Sequence, residues 1–197
     1  MKSMDMPIRV MVAGIGGASL GTEILKSLRL ADGYAIYGCD VSPVAYGLYD
    51  PGFDKTYLVT RENYLTDVIE ACHDSDVSCL VPGGEQPMLL LSSAAGRLAA
   101  EGIRLLSNSP EIISTFSDKA ATFNILSKLG IAAPRTIAVA TNADLEYVGF
   151  PCVIKPATGS GGSAAVFFAV NLEEAMLYTD FIRRMGSTPL AQEYVGV

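Results

Sequence analysis

The chain has 197 residues, of which 50% are hydrophobic and 18% are charged, and its formal net charge is −7. This length suffices for one full domain and part of a second, because a domain takes roughly 100–200 residues. The acidic balance argues against a nucleic-acid or membrane partner, since both need a basic surface. The sequence shows neither a secretory cleavage pattern nor an apolar run of about 20 residues, which predicts a cytoplasmic protein.

Buried strands alternate with amphipathic helices through the first hundred residues. Short apolar runs that end in turn signals predict strands at 8–14, 35–39, 77–81 and 103–106. Apolar residues at helical spacing predict helices around 20–28, 65–72 and 91–98. This alternation is typical of a doubly wound parallel sheet with right-handed crossovers. We therefore expect an α/β, Rossmann-like domain over residues 1–108.

Residues 109–197 predict a second, α+β region. Ser109-Pro110 and Ser117-Asp118 are start signals for two helices. The second of these helices is expected to bury an apolar face made of Thr122, Ile125, Leu126 and Leu129. Downstream, a strand, a glycine loop and a returning strand over residues 151–170 predict an antiparallel hairpin.

Two further helices are predicted from their caps. Thr141 with Asp144 has the spacing of a capping box, and Asn171 with Glu174 opens the last helix in the same way. These helices flank the hairpin in sequence, so we expect them to pack with it in one unit.

The cysteines and the single histidine carry no recognisable site. The four cysteines lie far apart without CxxC spacing, which predicts buried free thiols rather than disulfides or a metal site: Cys39, Cys72, Cys79 and Cys152. His73 follows a predicted helix and has no histidine partner, so a surface or C-capping role is expected.

A glycine cluster, GIGGASLG, opens the first predicted helix at residues 14–21, and Asp40 ends the second strand. A dinucleotide-binding fingerprint would lie at this place, but its third glycine is replaced here by Ser19. A tight strand-to-helix turn that needs small residues explains the same pattern. A non-catalytic NAD(P)-binding Rossmann domain therefore stands as the alternative function.

A second glycine cluster lies in the stretch PCVIKPATGSGGSAAVFF at residues 151–168. In a P-loop the lysine follows the glycines and a helix comes next, whereas here Lys155 precedes them and a strand follows. The stretch is therefore predicted to be a hairpin whose tip folds over phosphates. Its candidate ligands are the backbone N–H groups and hydroxyls of Gly159, Ser160, Gly161, Gly162 and Ser163.

Several motifs follow one another in a fixed order along the second region. They are Ser117-Asp118-Lys119, Gly130 to Pro134, Phe150-Pro151 with Ile154-Lys155-Pro156, and Ala191 to Val195. This order resembles the ATP-grasp superfamily, and within it the large subunit of carbamoyl-phosphate synthase and related carboxylate–amine ligases. The resemblance implies that residues 1–108 are the Rossmann-like pre-ATP-grasp domain and that 109–197 are an incomplete first lobe of the ATP-grasp domain.

The resemblance also implies roles for individual residues. Lys119 and Lys155 correspond to the two lysines that contact ATP phosphates, and residues 159–163 to the flap over the β- and γ-phosphates. Residues Gln192, Glu193, Tyr194 and Val195 correspond to the adenine-binding hinge. In that hinge the C=O of Glu193 would accept from the adenine amino group and the N–H of Val195 would donate to a ring nitrogen, with the Gln192 side chain adding a polar contact.

The chemistry implied is an ATP-dependent ligation, in which a carboxylate is activated as an acylphosphate for attack by an amine or similar nucleophile. ATP and Mg²⁺ are the implied cofactors, with the metal ligands expected beyond residue 197. On this interpretation the chain is a fragment that binds nucleotide weakly, does not catalyse by itself and contains no assigned catalytic or metal-binding residue. Its partners are expected to be small-molecule carboxylates and amines, and a homodimer is left open.

Two features depart from the subfamily pattern. By resemblance, the position of Lys155 is often an arginine in carbamoyl-phosphate synthases, and the strand end at residues 82–86 also differs. Glu85 follows a predicted parallel strand, at the edge of the sheet where open α/β proteins bind ligands. We expect Glu85 either to contact substrate or to be an acid favoured at a helix N-terminus.

Overall fold

The computed structural model describes residues 6–17, 20–158 and 165–196. Contacts between Cα atoms divide the chain into two compact units, Met1–Ile113 and Ser114–Val197. Among the described residues, no helix combines the length and the apolar character that crossing a bilayer requires.

The first unit is built on a five-stranded sheet in which all neighbouring strands are parallel. The strands are β1 (Ile8–Ala13), β2 (Tyr34–Asp40), β3 (Lys55–Leu58), β4 (Cys79–Pro82) and β5 (Arg104–Leu105), in the order β3-β2-β1-β4-β5. The helices are α1 (Leu20–Ala31), α2 (Tyr64–Asp74), α3 (Glu85–Ser93) and α4 (Ala95–Ala100), with a 3₁₀ helix at Tyr46–Tyr49. The predicted Rossmann-like parallel sheet is confirmed.

Both faces of this sheet are covered, because successive side chains of a strand point to opposite sides. On β1, Met11 packs into one cluster that includes residues of α2, α3 and α4. The next residue, Val12, packs into a second cluster that includes Leu25 of α1 and Phe53. The sheet is thus covered on one face by α2, α3 and α4 and on the other by α1.

Two features of the first unit differ from the sequence prediction. The edge strand β3 was not predicted, because its four residues are only partly buried or exposed and make no apolar run. The helix expected around residues 91–98 is two helices, α3 and α4, separated at Ala94. The hydroxyls of Ser92 and Ser93 donate to the carbonyls of Leu89 and Leu90, a local bond that competes with regular helix geometry.

The second unit is an antiparallel sheet with helices, as the predicted α+β region requires. Its strands are β6 (Thr136–Ala138), β7 (Cys152–Pro156), β8 (Phe167–Ala169) and β9 (Pro189–Glu193), in the order β6-β9-β7-β8. Its helices are α6 (Lys119–Lys128), α7 (Asn142–Val148) and α8 (Leu172–Arg184), and α5 (Pro110–Ser117) joins the two units. The predicted hairpin is confirmed in the antiparallel pairing of β7 with β8.

The helix caps of the second unit agree with the sequence. Asp118 caps α6 by accepting from the N–H groups of Ala120 and Ala121 at 2.8 and 3.1 Å. Thr141 and Asp144 form the predicted capping box, and the Asn171 side chain accepts from the Glu174 N–H at 2.9 Å. These local bonds satisfy N–H groups that the helix itself leaves without acceptors.

The expected burial of α6 is wrong. No residue of this helix is buried, and Leu129, which follows it, is 67% exposed. Residues of α7 and α8 pack against one face of the sheet around Ile154 and Ala191. The α6 residue Phe123 lies instead over Lys155, which occupies the opposite face of β7, and that face is only partly covered.

The histidine prediction is confirmed, and the cysteine prediction is confirmed for three residues. All four cysteines are free, and Cys39, Cys72 and Cys152 are buried, whereas Cys79 is only partly buried. Burial raises the pKa of the Cys72 thiol to about 12, which makes it an inert core side chain at neutral pH. His73 lies in the last turn of α2 with half of its side chain exposed, where its Nε2 is 3.2 Å from Glu101 Oε2.

Candidate functional site

The partly open face of the second sheet carries Lys155. Along β7, Ile154 is fully buried in the core, and the alternation of the strand turns Lys155 to the other face. There its side chain is half-buried, and Nζ donates to the side-chain Oε1 of Gln192 at 2.8 Å. The strand β9 pairs directly with β7, which brings these two side chains together from different strands.

The same row of side chains continues to a third strand. The Nε2 of Gln192 donates to Thr136 Oγ1 at 2.8 Å, and Thr136 Oγ1 is 3.0 Å from the carbonyl oxygen of Pro134. Thr136 is the direct cross-strand partner of Gln192 in the pairing of β6 with β9. A continuous chain of polar groups therefore crosses β6, β9 and β7 and ends at the ammonium of Lys155.

The surroundings of Lys155 are electropositive. Its pKa is lowered, first by burial and then by the charge of Lys119. Lys119 is the first residue of α6, and its backbone N–H donates to the carbonyl of Ala157, just beyond β7, at 3.0 Å. In the part of the chain that the structure describes, no carboxylate forms an ion pair with Lys155, and Phe123 places its ring 4.9 Å from Nζ.

The donor set at this face fits an anion. An amide oxygen and an aromatic face hold the Lys155 ammonium without neutralising its charge. Two neighbouring lysines repel each other, and bound negative charge would relieve this repulsion. The structure therefore brings together the two lysines that the sequence singled out, and their contacts with ATP phosphates stay predictions.

The predicted flap cannot be compared with the structure. Gly159, Ser160, Gly161, Gly162 and Ser163 lie outside the described residues. Their proposed contacts with phosphate remain a prediction.

The predicted hinge begins at the end of β9. The Glu193 N–H donates to the carbonyl of Arg135 at 2.9 Å, and its carboxylate lies 3.2 Å from the Arg135 guanidinium. Tyr194 and Val195 follow the strand and are 49% and 64% exposed. Tyr194 makes an edge-to-face contact with Phe168, their ring centroids being 5.0 Å apart. The expected main-chain contacts of this segment with adenine stay predictions.

Sequence reasoning missed two residues of this face, Thr136 and Phe123. Phe123 could have been found, because it lies four residues after Lys119 and so on the same side of α6. Thr136 could not, because its contact with Gln192 depends on the antiparallel pairing of β6 with β9. The Gln192 amide, for which the resemblance implied a polar contact in the hinge, is hydrogen-bonded to Lys155 and Thr136, and its role in the hinge stays a prediction.

The glycine cluster of the first unit has a different character. Asp40 is 9% exposed, and its Oδ2 accepts from the Ile15 N–H at 2.8 Å while Oδ1 accepts from the Ser42 N–H at 2.9 Å. A Cβ on Gly16 would lie 3.3 Å from the same carboxylate. The acid that a dinucleotide ribose would need is therefore engaged with its own loop, which favours the structural turn over NAD(P) binding.

Close backbone packing explains the small residues there. The Gly21 N–H donates to the carbonyl of Gly83 at 3.0 Å, and the Gly83 N–H donates to that of Ala13 at 2.6 Å. A Cβ on either glycine would overlap the carbonyl oxygen of Gly14, which itself has a φ of +95°. The glycines thus fasten the first loop to the end of β4.

Glu85 is the first residue of α3 and is half-buried directly after β4. This place suits the helix N-terminal acid, and it also lies at the carboxyl edge of the sheet, so both expected roles stay open. Within the described ranges, no group of three or more His, Cys, Asp or Glu side chains could hold a metal ion.

No protein-family model matches the chain. The chain is 28% identical over 162 residues to the carbamoyl phosphate synthase large chain of Myxococcus xanthus and 30% identical over 158 residues to that of Methanospirillum hungatei. Each match covers 78% of this chain, and the chain spans about 15% of the length of these curated relatives.

A solved structure shares the fold over nearly the whole chain. It is the biotin carboxylase domain dimer of the Hydrogenobacter thermophilus 2-oxoglutarate carboxylase, in complex with MgADP, ADP and bicarbonate. The TM-score is 0.70 at 16% identity, over 97% of this chain and 45% of that one. The chain is therefore similar in sequence to part of the carbamoyl phosphate synthase large chain and shares its fold with a biotin carboxylase domain, in agreement with the ATP-grasp resemblance that the order of its motifs indicated.

Proposed function

We propose that the chain supplies part of the nucleotide site of an ATP-dependent ligase of the ATP-grasp type. The whole enzyme would activate a carboxylate as an acylphosphate, which an amine or similar nucleophile then attacks. The observation that carries this proposal is the half-buried Lys155, held by the neutral Gln192 beside Lys119.

The charge at this face has the sign and place that phosphoryl transfer needs. Fixed positive charge in a partly desolvated site stabilises the charge that builds on phosphoryl oxygens, and it does so without reorganisation. Lys155 and Lys119 would bind the phosphates of the nucleotide, with the flap at 159–163 covering them. The hinge at 192–195 would hold the base, with Glu193 and Val195 offering main-chain groups to its edge.

The relatives support the class of reaction. Carbamoyl phosphate synthase large chains match in sequence, and the biotin carboxylase domain that shares the fold holds MgADP and bicarbonate. We accordingly take the first substrate to be a small carboxylate or bicarbonate-like acid, with Mg²⁺ bound alongside the nucleotide. That domain is described as a dimer, which makes a homodimer of the whole protein the natural assembly to test.

Glu85 is the proposed substrate contact in the first unit. It begins α3 at the carboxyl edge of the parallel sheet, which is where open α/β folds bind small molecules. In the whole enzyme, Glu85→Gln should raise the KM for the acid or amine substrate and leave the KM for ATP unchanged. If both KM values and kcat stay at their wild-type levels, Glu85 is only a helix-terminal acid.

The nucleotide preference can be tested on this chain by thermal shift. Mg-ADP should raise the melting temperature in proportion to the logarithm of its concentration, because a ligand that binds only the folded state stabilises it. NAD and NADP should leave it unchanged, since Asp40 is occupied by Ile15 and Ser42. Stabilisation by NAD but not by Mg-ADP would reject the ligase proposal and restore the dinucleotide alternative.

A further inference from the structure

The polar chain that crosses β6, β9 and β7 has a role that goes beyond binding phosphate. We infer that Thr136 and Gln192 are positioning residues, which hold the ammonium of Lys155 in place and connect it to the hinge segment. This inference rests on the proposed nucleotide function, because it concerns the lysine that would bind the phosphates.

The direction of each hydrogen bond in this row of polar groups follows from the carbonyl of Pro134, at the end away from Lys155. The carbonyl of Pro134 can only accept, so the hydroxyl of Thr136 must donate to it, at 3.0 Å. With its single proton used, Thr136 must accept from Gln192, which turns the Nε2 of the amide toward it at 2.8 Å. The Oε1 of Gln192 is then left facing Lys155, and it accepts from Nζ at 2.8 Å. A flipped amide would break both of its bonds.

The amide positions the lysine without neutralising it. A carboxylate at residue 192 would pair with Lys155 and compete with an incoming phosphate, whereas an amide oxygen accepts one hydrogen bond and leaves the charge in place. The nearest carboxylate along β9 is that of Glu193, and it is directed to Arg135 at 3.2 Å. One of the three ammonium protons is thus committed to Gln192, and the other two can serve an anion.

Gln192 also links the two ends of the proposed nucleotide site, the hinge that would bind the base and the lysine that would bind the phosphates. Gln192 immediately precedes the hinge residues 193–195, and its side chain reaches Lys155 on the neighbouring strand. Any contact that orders the backbone of the hinge also orders the acceptor of the lysine. The contact between Gln192 and Lys155 therefore favours ligands that occupy the base and phosphate positions together.

The test compares ADP with adenosine by isothermal titration calorimetry on this chain. Gln192→Ala removes the acceptor of the charged Lys155 ammonium, and Thr136→Val removes the hydroxyl that orients this acceptor. Each change should weaken ADP binding about tenfold and change adenosine binding less than about twofold. Thr136→Ser keeps the hydroxyl and should bind ADP as the wild type does. Gln86→Ala, the other glutamine and an exposed one, is the matched control and should also bind normally.

A second readout does not depend on any nucleotide. The lysine Cε signals of the ligand-free chain can be followed by NMR titration, with the Lys155 signal assigned from its loss in Lys155→Met. Removing the oxygen acceptor destabilises the ammonium, so Gln192→Ala should lower the pKa of Lys155 and Thr136→Ser should leave it unchanged.

The outcomes separate the two ideas. If Gln192→Ala and Thr136→Val change neither the Lys155 titration nor the ratio of ADP to adenosine affinity, the positioning role is overturned while the nucleotide site stands. If the wild-type chain binds no ADP but the Lys155 titration still shifts in the variants, the positioning of the lysine stands and the proposed function fails. Equal losses of ADP and adenosine binding would mean that the pair only supports the fold, and would also overturn the inference.

Discussion

The two units each carry a glycine cluster near a charged residue, and the two charged groups differ in what surrounds them. In the first unit, the carboxylate of Asp40 is nearly buried and accepts from two backbone N–H groups of its own loops. In the second unit, the ammonium of Lys155 is half-buried against an amide and a second lysine. The first charge is satisfied within the chain, whereas the second pairs with no carboxylate among the described residues, and we propose that it serves a ligand.

This difference shows that a glycine-rich motif can indicate either close backbone packing or a ligand site, and that its surroundings decide between them. Glycines at 14, 21 and 83 serve the approach of one backbone to another, so their small size is a requirement of packing. Lys155 stands in a strand whose other side is core, so its position is set by the fold, and no carboxylate of the described residues pairs with its charge.

The largest effect is expected from Gly83→Ala. The new Cβ would overlap the carbonyl oxygen of Gly14 and meet the backbone of Gly21, so neither neighbour can move without disturbing the loop. We expect a loss of about 3 kcal/mol or more in the free energy of unfolding, measured by urea denaturation. Gly96→Ala is the control, because its Cβ meets nothing within 4 Å, and it should be neutral or slightly stabilising.

The second-largest loss of stability is expected from Asp40→Ala. It leaves the N–H groups of Ile15 and Ser42 without their acceptor in a nearly buried site, which costs about 2–3 kcal/mol of unfolding free energy. The change should leave ADP affinity unaltered in any chain that remains folded. A stable Asp40→Ala chain would show that the carboxylate does not hold the loop, and would reopen its assignment to a ligand.

The converse change in the second unit is Lys155→Met. Because the fold does not depend on this charge, unfolding free energy should change by less than about 1 kcal/mol in either direction. The same urea titration measures it. A loss as large as that of Asp40→Ala would mean that the two charges play the same structural role, and the contrast between the units would fail.

The smallest effect is a pH dependence. Burial, and then the charge of Lys119, lower the pKa of Lys155 below the ordinary value of a lysine. The protonated lysine binds the anion, so ADP affinity should be full below the lowered pKa and decline as the pH rises through it, earlier than an ordinary lysine would allow. Titration calorimetry in steps above pH 7.5 measures this decline. Lys155→Arg should bind ADP without that decline, because a guanidinium stays charged throughout.

Much of this architecture could be predicted from local signals. The strands at β1, β2 and β4, the capping box at Thr141, the N-cap at Asn171 and the β7–β8 hairpin all follow from residues adjacent in sequence. The order of the motifs also predicted the superfamily whose fold the chain shares. These signals are strong because each depends on a few neighbouring residues.

What could not be predicted depends on distant pairing. The edge strand β3 has no apolar run, and the exposure of α6 depends on which face of the sheet it covers. The contact of Gln192 with Lys155 and Thr136 exists only because β9 lies between β6 and β7. Sequence spacing indicated which lysines matter, but not what holds them.

The most direct test of the account is the ADP affinity of three versions of this chain, measured by isothermal titration calorimetry in the presence of Mg²⁺. Lys155→Met should bind ADP roughly 10- to 100-fold more weakly than the wild type, because it removes a charged donor from the phosphates. Lys128→Met, at the exposed end of the same helix that begins with Lys119, should match the wild type. Equal affinities in all three, or no ADP binding by the wild type, would contradict the account.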